Sequence, residues 1–525
     1  VTVTIDDPNK GGFTATTGLE DLGGGIYEID GTTVGASLIL SSLEYVTNPG
    51  FLFPSTSPGG TTFTILAVDD ALNQSSASLS ILIQNEPRNH LVTLTDDDPS
   101  LEGTLRHAIA NAENNDTITF ALPSYPARIR LDSSRGPFVL EKNLTIAGPG
   151  ADKMVISGDS TGDGVPDTQV FRVAAAVHMA GITVADGAAV TGGCIFVGPG
   201  GSLSLLECVI SNGRAEKWGG GIDVSGDDES FIGGSIQTNG CLFVGNSTDP
   251  SEGLGGGAIS LYNNNLCTFT NTTFSGNSQA SSNGLGGGAI YVENLNPQTT
   301  FDVHVSHCTF SGNSDASDQG SSICSNGFGT TAELLNSIFA DGENRNLHVR
   351  GSGRIKSKGG NLSDDSTRVV LSQGGGTTSQ FLLDHVPAGT TESDDQTLVD
   401  PFLEPLQTTT GPTMIHPLNA ISPAIGSAAA PEAVSDQLGI LRDIAPDSGA
   451  AEFGSTTRLA INEIHWDTTA SGTQFIEIYN LRSSQPAILE NFSLWIDGKQ
   501  RHVFPPGTPV IQPGFGIIVV DDDTL

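Results

Sequence analysis

A cassette of 31 to 36 residues recurs through the middle of this chain, and it constrains the fold more than any other feature. Each copy opens with a triglycine run and closes with a Phe-x-Gly-Asn sequence. The runs begin at Gly219, Gly255 and Gly286, and the closing asparagines are Asn246, Asn277 and Asn313. The run starts are therefore 36 and 31 residues apart, and the asparagines are 31 and 36 apart. A repeat of this length predicts one supersecondary unit stacked on copies of itself.

Each unit consists of short alternating segments. Residues 258–262 and 266–270 alternate at period two and contain β-branched and aromatic side chains, which indicates strands. No segment of helical length separates them, so the chain must bend at Gly and Asn corners. We therefore predict an all-β protein built on a parallel β-helix. Right-handed coils are expected because crossovers between parallel strands prefer that hand.

Equivalent positions of the repeat predict what lies inside it. Phe243, Phe274 and Phe310 share one position and are expected to stack, and the closing asparagines are expected to form a ladder of amide hydrogen bonds. The six cysteines, at positions 194, 208, 241, 267, 308 and 324, all lie in this region. An even number in a secreted chain is compatible with disulfides, whereas inward positions favour buried free thiols.

Charge and hydropathy limit the class of protein. The chain of 525 residues has a formal net charge of −37 at pH 7, which argues against nucleic acid or an anionic membrane as partner. It fits a secreted protein whose acidic surface is solvated or binds divalent cations. The apolar stretch at 517–520 is too short to span a bilayer. Since the chain begins at Val1 and ends within a strand pattern, we expect a fragment whose export and anchoring signals lie elsewhere.

One helix is predicted, at residues 103–112. Leu105, Ala108, Ile109 and Ala112 fall on one helical face, and a strand pattern follows at 116–120. A helix placed before the first coil would cap the open end of a β-helix and protect its edge. This helix-then-strand sequence resembles the start of bacterial repeat adhesins.

The two ends of the chain resemble β-sandwich modules. Residues 61–68 and 77–83, joined by an Asp-rich turn, resemble bacterial cadherin-like modules, so 1–89 is expected to be an immunoglobulin-like sandwich. Its first six residues are expected to be the last strand of a preceding module. Strand patterns throughout 459–525 resemble the lamin-tail domain, also an immunoglobulin-like sandwich, here truncated.

The C-terminal part of the repeat region carries the most specific resemblance. Motifs at 351–362, 411–418, 422–426, 436–442 and 447–453 occur in an order that resembles the choice-of-anchor Q domain. That family of bacterial cell-surface proteins has a parallel β-helix, so the resemblance implies one β-helical domain over 90–454.

A calcium loop is the first candidate site. Asp159, Asp163 and Asp167 place carboxylates at i, i+4 and i+8 around a Gly-containing turn, a pattern that resembles calcium loops of surface proteins. The alternative is an acidic surface turn between coils. Calcium is the one cofactor that the sequence suggests.

An anion-binding stripe is the second candidate site. Arg354, Lys356 and Lys358 alternate along one predicted strand, so all three face the same side of a coil. Polysaccharide lyases on this fold use basic residues beside carboxylates and calcium to abstract a proton from a uronic acid. The alternative is an ordinary solvent face opposite the inward Ile355.

These observations predict a secreted or cell-surface bacterial protein, monomeric and adhesive or structural, whose long solenoid face binds glycan or protein. No residue can be assigned a catalytic role. Two alternatives remain open, namely a carbohydrate-active enzyme (lyase or glycoside hydrolase) on the same fold and a passive stalk within a larger surface protein.

Overall fold

The computed structural model describes most of the chain between residues 87 and 453 and shorter stretches on either side. The described residues are 1–5, 11–13, 19–29, 40, 45–47, 59–68, 74–83, 87–226, 233–263, 266–296, 301–342, 345–366, 368–373, 376–381, 383–384, 394–409, 411–429, 433–442, 445–453, 459–465, 474–480, 493–496, 499–504, 511 and 516–521. They are almost entirely β-structure, which confirms the predicted fold class.

The first compact unit, residues 1–89 with 112–117, contains an antiparallel sheet of five strands. In sheet order these are Leu19–Gly23, Ile26–Ile29, Thr2–Ile5, Gly59–Val68 and Gln74–Ile83. Gly11–Phe13 pairs separately with Tyr45–Thr47. The opening strand, assigned from sequence to a preceding module, is the central strand of this sheet and pairs on both sides. Alternation buries Val3, Ile5, Tyr27 and Ile29 in one cluster.

The second unit, residues 90–111 with 118–525, begins with the predicted helix. The helix spans Leu105–Asn111, shorter than expected, and buries Leu105 and Ala108. It packs on the strand Phe138–Leu140, and Arg106 fixes it through a paired contact with Asp97 at 2.6 and 2.8 Å. The strands that come before and after the helix in the chain, Asn89–Val92 and Asp116–Phe120, each begin in the first unit and end in the second.

The parallel sheets of a β-solenoid follow, as predicted. The second of them has eight described strands, one from each of eight turns. The strands of the first sheet are Ala127–Arg130, Met154–Ser157, Thr183–Ala185, Val209–Ser211, Leu242–Val244, Thr273–Ser275, Thr309–Ser311, Ile338–Ala340, Leu362–Ser363 and Gln396–Thr397. Those of the second sheet are Phe138–Leu140, Phe171–Val173, Ile195–Val197, Ile222–Ser225, Ile259–Tyr262, Ile290–Asn294, Ile323–Gly327 and Leu347–Val349.

Two further sheets complete the coils. The third sheet contains Asn89–Val92, Asp116–Phe120, Leu144–Ala147, Ala176–Ala180, Ser202–Leu206, Ser235–Asn239, Cys267–Thr270, Phe301–Ser306, Thr330–Leu335 and Arg354–Gly359. The small fourth sheet contains Ala188–Thr191, Arg214–Trp218, Ser247–Thr248, Ser278–Gln279 and Ser314–Asp315. Each central coil runs through the third, first, fourth and second sheets in turn.

The corners between sheets recur at positions with positive φ, where Gly, Asn and Asp are tolerated best. Between the first and fourth sheets the corner residues are Asp186, Asn212, Gly245, Gly276, Gly312 and Asp341. Between the fourth and second sheets they are Gly192, Gly219, Gly256, Gly287 and Gly320. Gly288, which follows the corner residue Gly287, must be a glycine for lack of space. A Cβ at this position would lie 2.2 Å from the Ser321 carbonyl oxygen.

The structure corrects the register of the glycine runs. Trp218, not Gly219, pairs with Gly255, which in turn pairs with Gly286. The first glycine of the first run therefore matches the second glycine of the next, and the true spacing is 37 rather than 36 residues. The positive-φ corner, not the start of the run, sets the register.

The interior is confirmed as predicted. Phe243, Phe274 and Phe310 stack with ring centroids 4.9 and 4.6 Å apart, and Phe339 extends the stack at 5.0 Å. Asn246 donates to Asn277 at 2.9 Å, and Asn277 donates to Asn313 at 3.0 Å. Each side-chain amide also donates to the backbone of the preceding coil, so the buried ladder is fully bonded.

All six cysteines are buried free thiols, as the inward positions favoured. Burial raises the pKa of Cys194, Cys208, Cys267 and Cys308 to about 12, and it raises the pKa of Cys241 and Cys324 as well. Such thiols are neutral at physiological pH, so they fill space rather than act as nucleophiles.

The described residues of 401–453, called the strap below, return along the corner between the third and first sheets. Thr413 donates to the Gly240 carbonyl at 3.1 Å, and the Ala450 amide donates to Thr309 at 2.9 Å. The Gly449 amide donates to the Asn336 carbonyl at 2.8 Å. The strap therefore joins coils that are about a hundred residues apart in the sequence.

The remaining strands are antiparallel. Arg368–Gln373 pairs with Gly376–Phe381. Towards the C-terminus, Leu459–His465, Gln474–Asn480 and Gly516–Asp521 form a three-stranded sheet, and Ser493–Ile496 pairs with Lys499–Val503. None of the helices in the described part of the chain has the length and hydropathy of a membrane span.

Candidate functional site

The basic stripe lies on the outer surface of the third sheet. Its strand, Arg354–Gly359, alternates exposed and buried residues, so Arg354, Lys356 and Lys358 project outward while Ile355 faces the core. The three cations lie side by side because alternate residues of a strand share one face. The sequence predicts that the three side chains share one face of the strand, and in the structure all three are exposed on that face.

A carboxylate missed by the sequence analysis lies beside this stripe. Glu333 Oε1 is 3.3 Å from Lys356 Nζ and 3.1 Å from Lys358 Nζ, and its Oε2 is 3.8 Å from His304 Nδ1. Partial burial would raise the pKa of Glu333, but Lys358 and then Lys356 outweigh it and lower that pKa. The carboxylate is therefore ionised at neutral pH and bridges the two ammonium groups.

The sequence offered no signal for this contact. Glu333 precedes the stripe by more than twenty residues, and the two become neighbours only because Glu333 pairs with Lys356 in adjacent coils. Knowing the coil length in this part of the chain would have identified the pair, but the repeat there has lost its glycines.

The side chains of the acidic loop, residues 159–167, form hydrogen bonds within the loop itself. Asp159, only 4% exposed, accepts hydrogen bonds from the Gly162 amide at 2.7 Å and the Gly164 amide at 3.0 Å. Asp167 accepts from the Ser160 amide and hydroxyl at 2.9 and 2.6 Å, while Asp163 accepts from the Val165 amide at 2.8 Å. The carboxylates thus satisfy the loop's own N–H groups.

These hydrogen bonds also change the acidity of the loop. Burial opposes ionisation of Asp159, but the amides of Gly164, Gly162 and Asp163 outweigh it and lower its pKa. No group of three or more acidic, His or Cys side chains suited to a metal occurs among the described residues. Internal hydrogen bonds hold the loop, and calcium binding by Asp159, Asp163 and Asp167 stays a prediction.

A second carboxylate that the sequence did not single out lies on the outer face of the second sheet. Asp223 is 1% exposed, and its Oδ2 accepts a hydrogen bond from Ser225 at 2.9 Å while Oδ1 has no partner. Burial raises the pKa of Asp223 to about 6, although hydroxyls of Ser225, Thr191 and Ser260 favour its charged form. This carboxyl therefore titrates close to neutral pH.

Aromatic side chains cover the same face. Trp218 occupies the position where the next two coils have glycine, and its ring stacks on Tyr291 with centroids 5.3 Å apart. The intervening glycine makes room, since a Cβ on Gly255 would lie 2.8 Å from the Tyr291 ring. Asn326 donates to the Tyr291 hydroxyl at 2.8 Å and to Glu293 at 2.7 Å. The face is a packed polar and aromatic layer.

The choice-of-anchor Q-like motifs converge in the strap. Arg442, with a side chain only 1% exposed, forms an ion pair with Glu452. It also donates to Asn271 Oδ1 and to the Gly449 carbonyl, both at 3.0 Å. Arg442 therefore ties the strap to the coil that contains Asn271.

No family model matches the sequence, and no curated protein matches it. The resemblances to choice-of-anchor Q, cadherin-like and lamin-tail domains stay predictions from sequence motifs.

Proposed function

We propose that this chain is a secreted or surface-exposed bacterial solenoid that binds anionic glycan or protein without catalysis. The observation that carries the proposal is the row of three cations on one outer strand of a chain whose net charge is −37. A cationic row in an otherwise acidic molecule attracts anionic groups locally while the rest of the surface repels them.

The chemistry of the neighbouring groups favours binding over turnover. Glu333 has a lowered pKa because it bridges two lysines, whereas a general base works best with a pKa near the operating pH. Asp223 has a suitable pKa but is buried, with 1% of its surface exposed. The six thiols are buried and neutral.

A carbohydrate-active enzyme is the second candidate, and one contact favours it. Glu333 lies within 3.3 Å of two lysines on an exposed face, so a carboxylate and cations are within hydrogen-bond reach as a lyase requires. A passive stalk is the third candidate, because the buried asparagine ladder and the strap link successive coils of the solenoid by hydrogen bonds.

Incubation of the purified protein with a panel of acidic and neutral polysaccharides, with and without calcium, separates these candidates. We expect retention on acidic polysaccharides without new unsaturated or reducing ends. Replacing Arg354, Lys356 and Lys358 by Gln should abolish retention, whereas the same change at the exposed Lys153, Arg214 and Lys217 should not. New ends that depend on Glu333 would establish the enzyme, and neither retention nor turnover would leave the stalk.

Calcium is tested in the same assay. We propose that the loop of Asp159, Asp163 and Asp167 binds calcium and stiffens the coil beside it. Isothermal titration with calcium should then give heat that is lost in the variant with Asn at all three positions. Equal titrations of the two proteins would remove calcium from the proposal without affecting the glycan-binding face.

A further inference from the structure

The strap docks on a row of corner residues that contains one histidine. At the corner between the third and first sheets, successive coils each place a residue of positive φ. From the middle of the solenoid onward these residues, called the corner row below, are Gly240, Asn271, His307, Asn336 and Gly360. The strap is hydrogen-bonded to four of them, and the fifth, His307, is the one titratable side chain in the row.

His307 is fully buried, and its neighbours hold the ring in one protonation state. The Ala429 amide of the strap donates to Asn336 Oδ1 at 2.7 Å, which orients that side chain so that its Nδ2 faces His307 Nε2 at 3.1 Å. An amide nitrogen can only donate, so Nε2 accepts and carries no proton. The ring is therefore neutral, with its hydrogen on Nδ1, which has no hydrogen-bond partner.

The surroundings of the ring also oppose a second proton. Burial, and then the Arg442 guanidinium, lower the pKa of His307 to about 3, and a backbone contact with Asp447 offsets only part of this. Arg442 belongs to the strap, so the strap itself supplies the cation that repels a histidinium. An unperturbed histidine has a pKa of about 6.5.

We propose that His307 makes docking of the strap sensitive to acid, so that the strap leaves the corner row when the ring gains a proton. A protonated Nε2 would face the Asn336 amide donor, and the charged ring would face Arg442. Below about pH 6.5 the released ring binds a proton that the docked ring refuses, so docking weakens as the pH falls. This response does not involve the basic stripe, so it and the proposed binding function can fail independently.

Other titratable groups of the strap respond to the same change in pH. Burial raises the pKa of Asp436 and of Glu452, so both bind protons more readily in the docked state and oppose release in acid. Burial lowers the pKa of His416, whose Nε2 lies 2.9 Å from Ser275 Oγ, and this favours release. The contribution of His307 is therefore measured against a variant that keeps all three groups.

The variant His307→Asn provides this comparison. Asn271 and Asn336 occupy the same corner in the coils on either side, so asparagine accommodates the positive φ while the titratable ring is removed. Hydrogen exchange of residues 445–453, measured by mass spectrometry for both proteins at the same pH, cancels the intrinsic exchange rate. The ratio of native to variant exchange should rise about 100-fold between pH 7.5 and pH 4.5, as follows from a pKa of about 6.5 that falls to about 3 on docking.

The matched control is His178→Asn, at an exposed position of the third sheet, which should exchange like the native protein at every pH. His307→Gln, which also has a neutral polar side chain, repeats the test if His307→Asn does not fold, and circular dichroism checks the fold at both pH values. A ratio of native to His307→Asn exchange that stays constant with pH would overturn the inference. An equal change in the ratio of native to His178→Asn exchange would overturn it as well.

Discussion

At the residue scale, the strongest constraint in this molecule is the need to satisfy buried polar groups. Asn246, Asn277 and Asn313 lie inside the solenoid with at most 1% exposure, and the amides of Asn246 and Asn277 are bonded to both neighbouring coils. A buried amide without partners costs free energy, so each asparagine depends on the copies beside it.

Replacing Asn277 by Ala should therefore destabilise the solenoid by about 3 kcal/mol, because it leaves Asn246 and the Phe243 carbonyl without their partner. Urea unfolding followed by circular dichroism measures the change. The control is Asn283→Ala, at an exposed loop position, which should shift the midpoint little. Equal midpoints for the two variants would show that the ladder contributes nothing to stability.

The buried carboxyl of Asp223 should make the free energy of unfolding depend on pH with a sign opposite to that of a salt-bridged acid. Its pKa is about 6 in the folded protein and about 3.9 in an unfolded chain, so between these values the folded state retains a proton that the unfolded state has lost. The contribution of Asp223 to stability therefore falls as pH rises through this window. At about 1.4 kcal/mol per pH unit, the cost at pH 8 is about 3 kcal/mol.

The variant Asp223→Asn removes this titration. Its gain in unfolding free energy over the native protein should be near zero at pH 4 and should reach about 3 kcal/mol at pH 8. Denaturant unfolding at both pH values measures the difference. Asp302→Asn, at an exposed position of the third sheet, is the matched control. A gain that does not change with pH would show that Asp223 does not titrate in this range.

At the element scale, the corners explain both what the sequence predicted and where it failed. The Asn and Phe positions were found because they recur at fixed spacing, and stacking in register required no knowledge of distant contacts. The register predicted from the glycine runs was wrong by one residue, since Trp218 occupies a position that is glycine in the next two coils. Alternation marks the position of Asp223 as outward, so its burial could be found only from the structure.

Two glycines of the repeat should respond differently to substitution. Gly276 has φ of +61° and no atom within 4 Å of its would-be Cβ, and Asn212 already occupies the same corner two coils earlier. Gly276→Asn should therefore cost less than about 1 kcal/mol. Gly288→Ala should cost about 3 kcal/mol or more, because its Cβ would meet the carbonyl oxygens of Ser321 and Ser314 at 2.2 and 2.3 Å.

Thermal unfolding of both glycine variants provides the measurement. Gly276 and Gly288 are the same residue type in neighbouring repeats, so composition alone would predict equal losses of stability at the two positions. Similar losses at Gly276 and Gly288 would mean that backbone conformation, and not the approach of the next coil, determines the need for glycine.

At the scale of the whole second unit, stability depends on contacts that cannot be predicted from local sequence patterns. The strap motifs were recognised in the sequence as a resemblance, but their physical role appears only when Arg442 is seen to donate to Asn271, 171 residues earlier. Partners at such separations follow from the path of the chain and not from periodicity. The Glu333 contact with the basic strand was missed for the same reason.

The Arg442–Glu452 pair is the point at which the strap can be tested. Burial raises the pKa of Glu452, so this carboxylate depends on its cation to remain charged. Arg442→Met should cost about 3–5 kcal/mol by leaving a buried acid unpaired, and the strap should become sensitive to limited proteolysis. Arg214→Met, at an exposed position, should change neither property.

Removing both partners separates the charge from the packing. In Arg442→Met/Glu452→Leu the unpaired acid is absent, so much of the lost stability should return, although the Asp447 amide still loses its acceptor. Recovery in the double variant would show that the pair fixes which segment docks on these coils more than it stabilises them. A double variant as unstable as Arg442→Met would instead show that the guanidinium hydrogen bonds to Asn271 and Gly449 hold the strap in place.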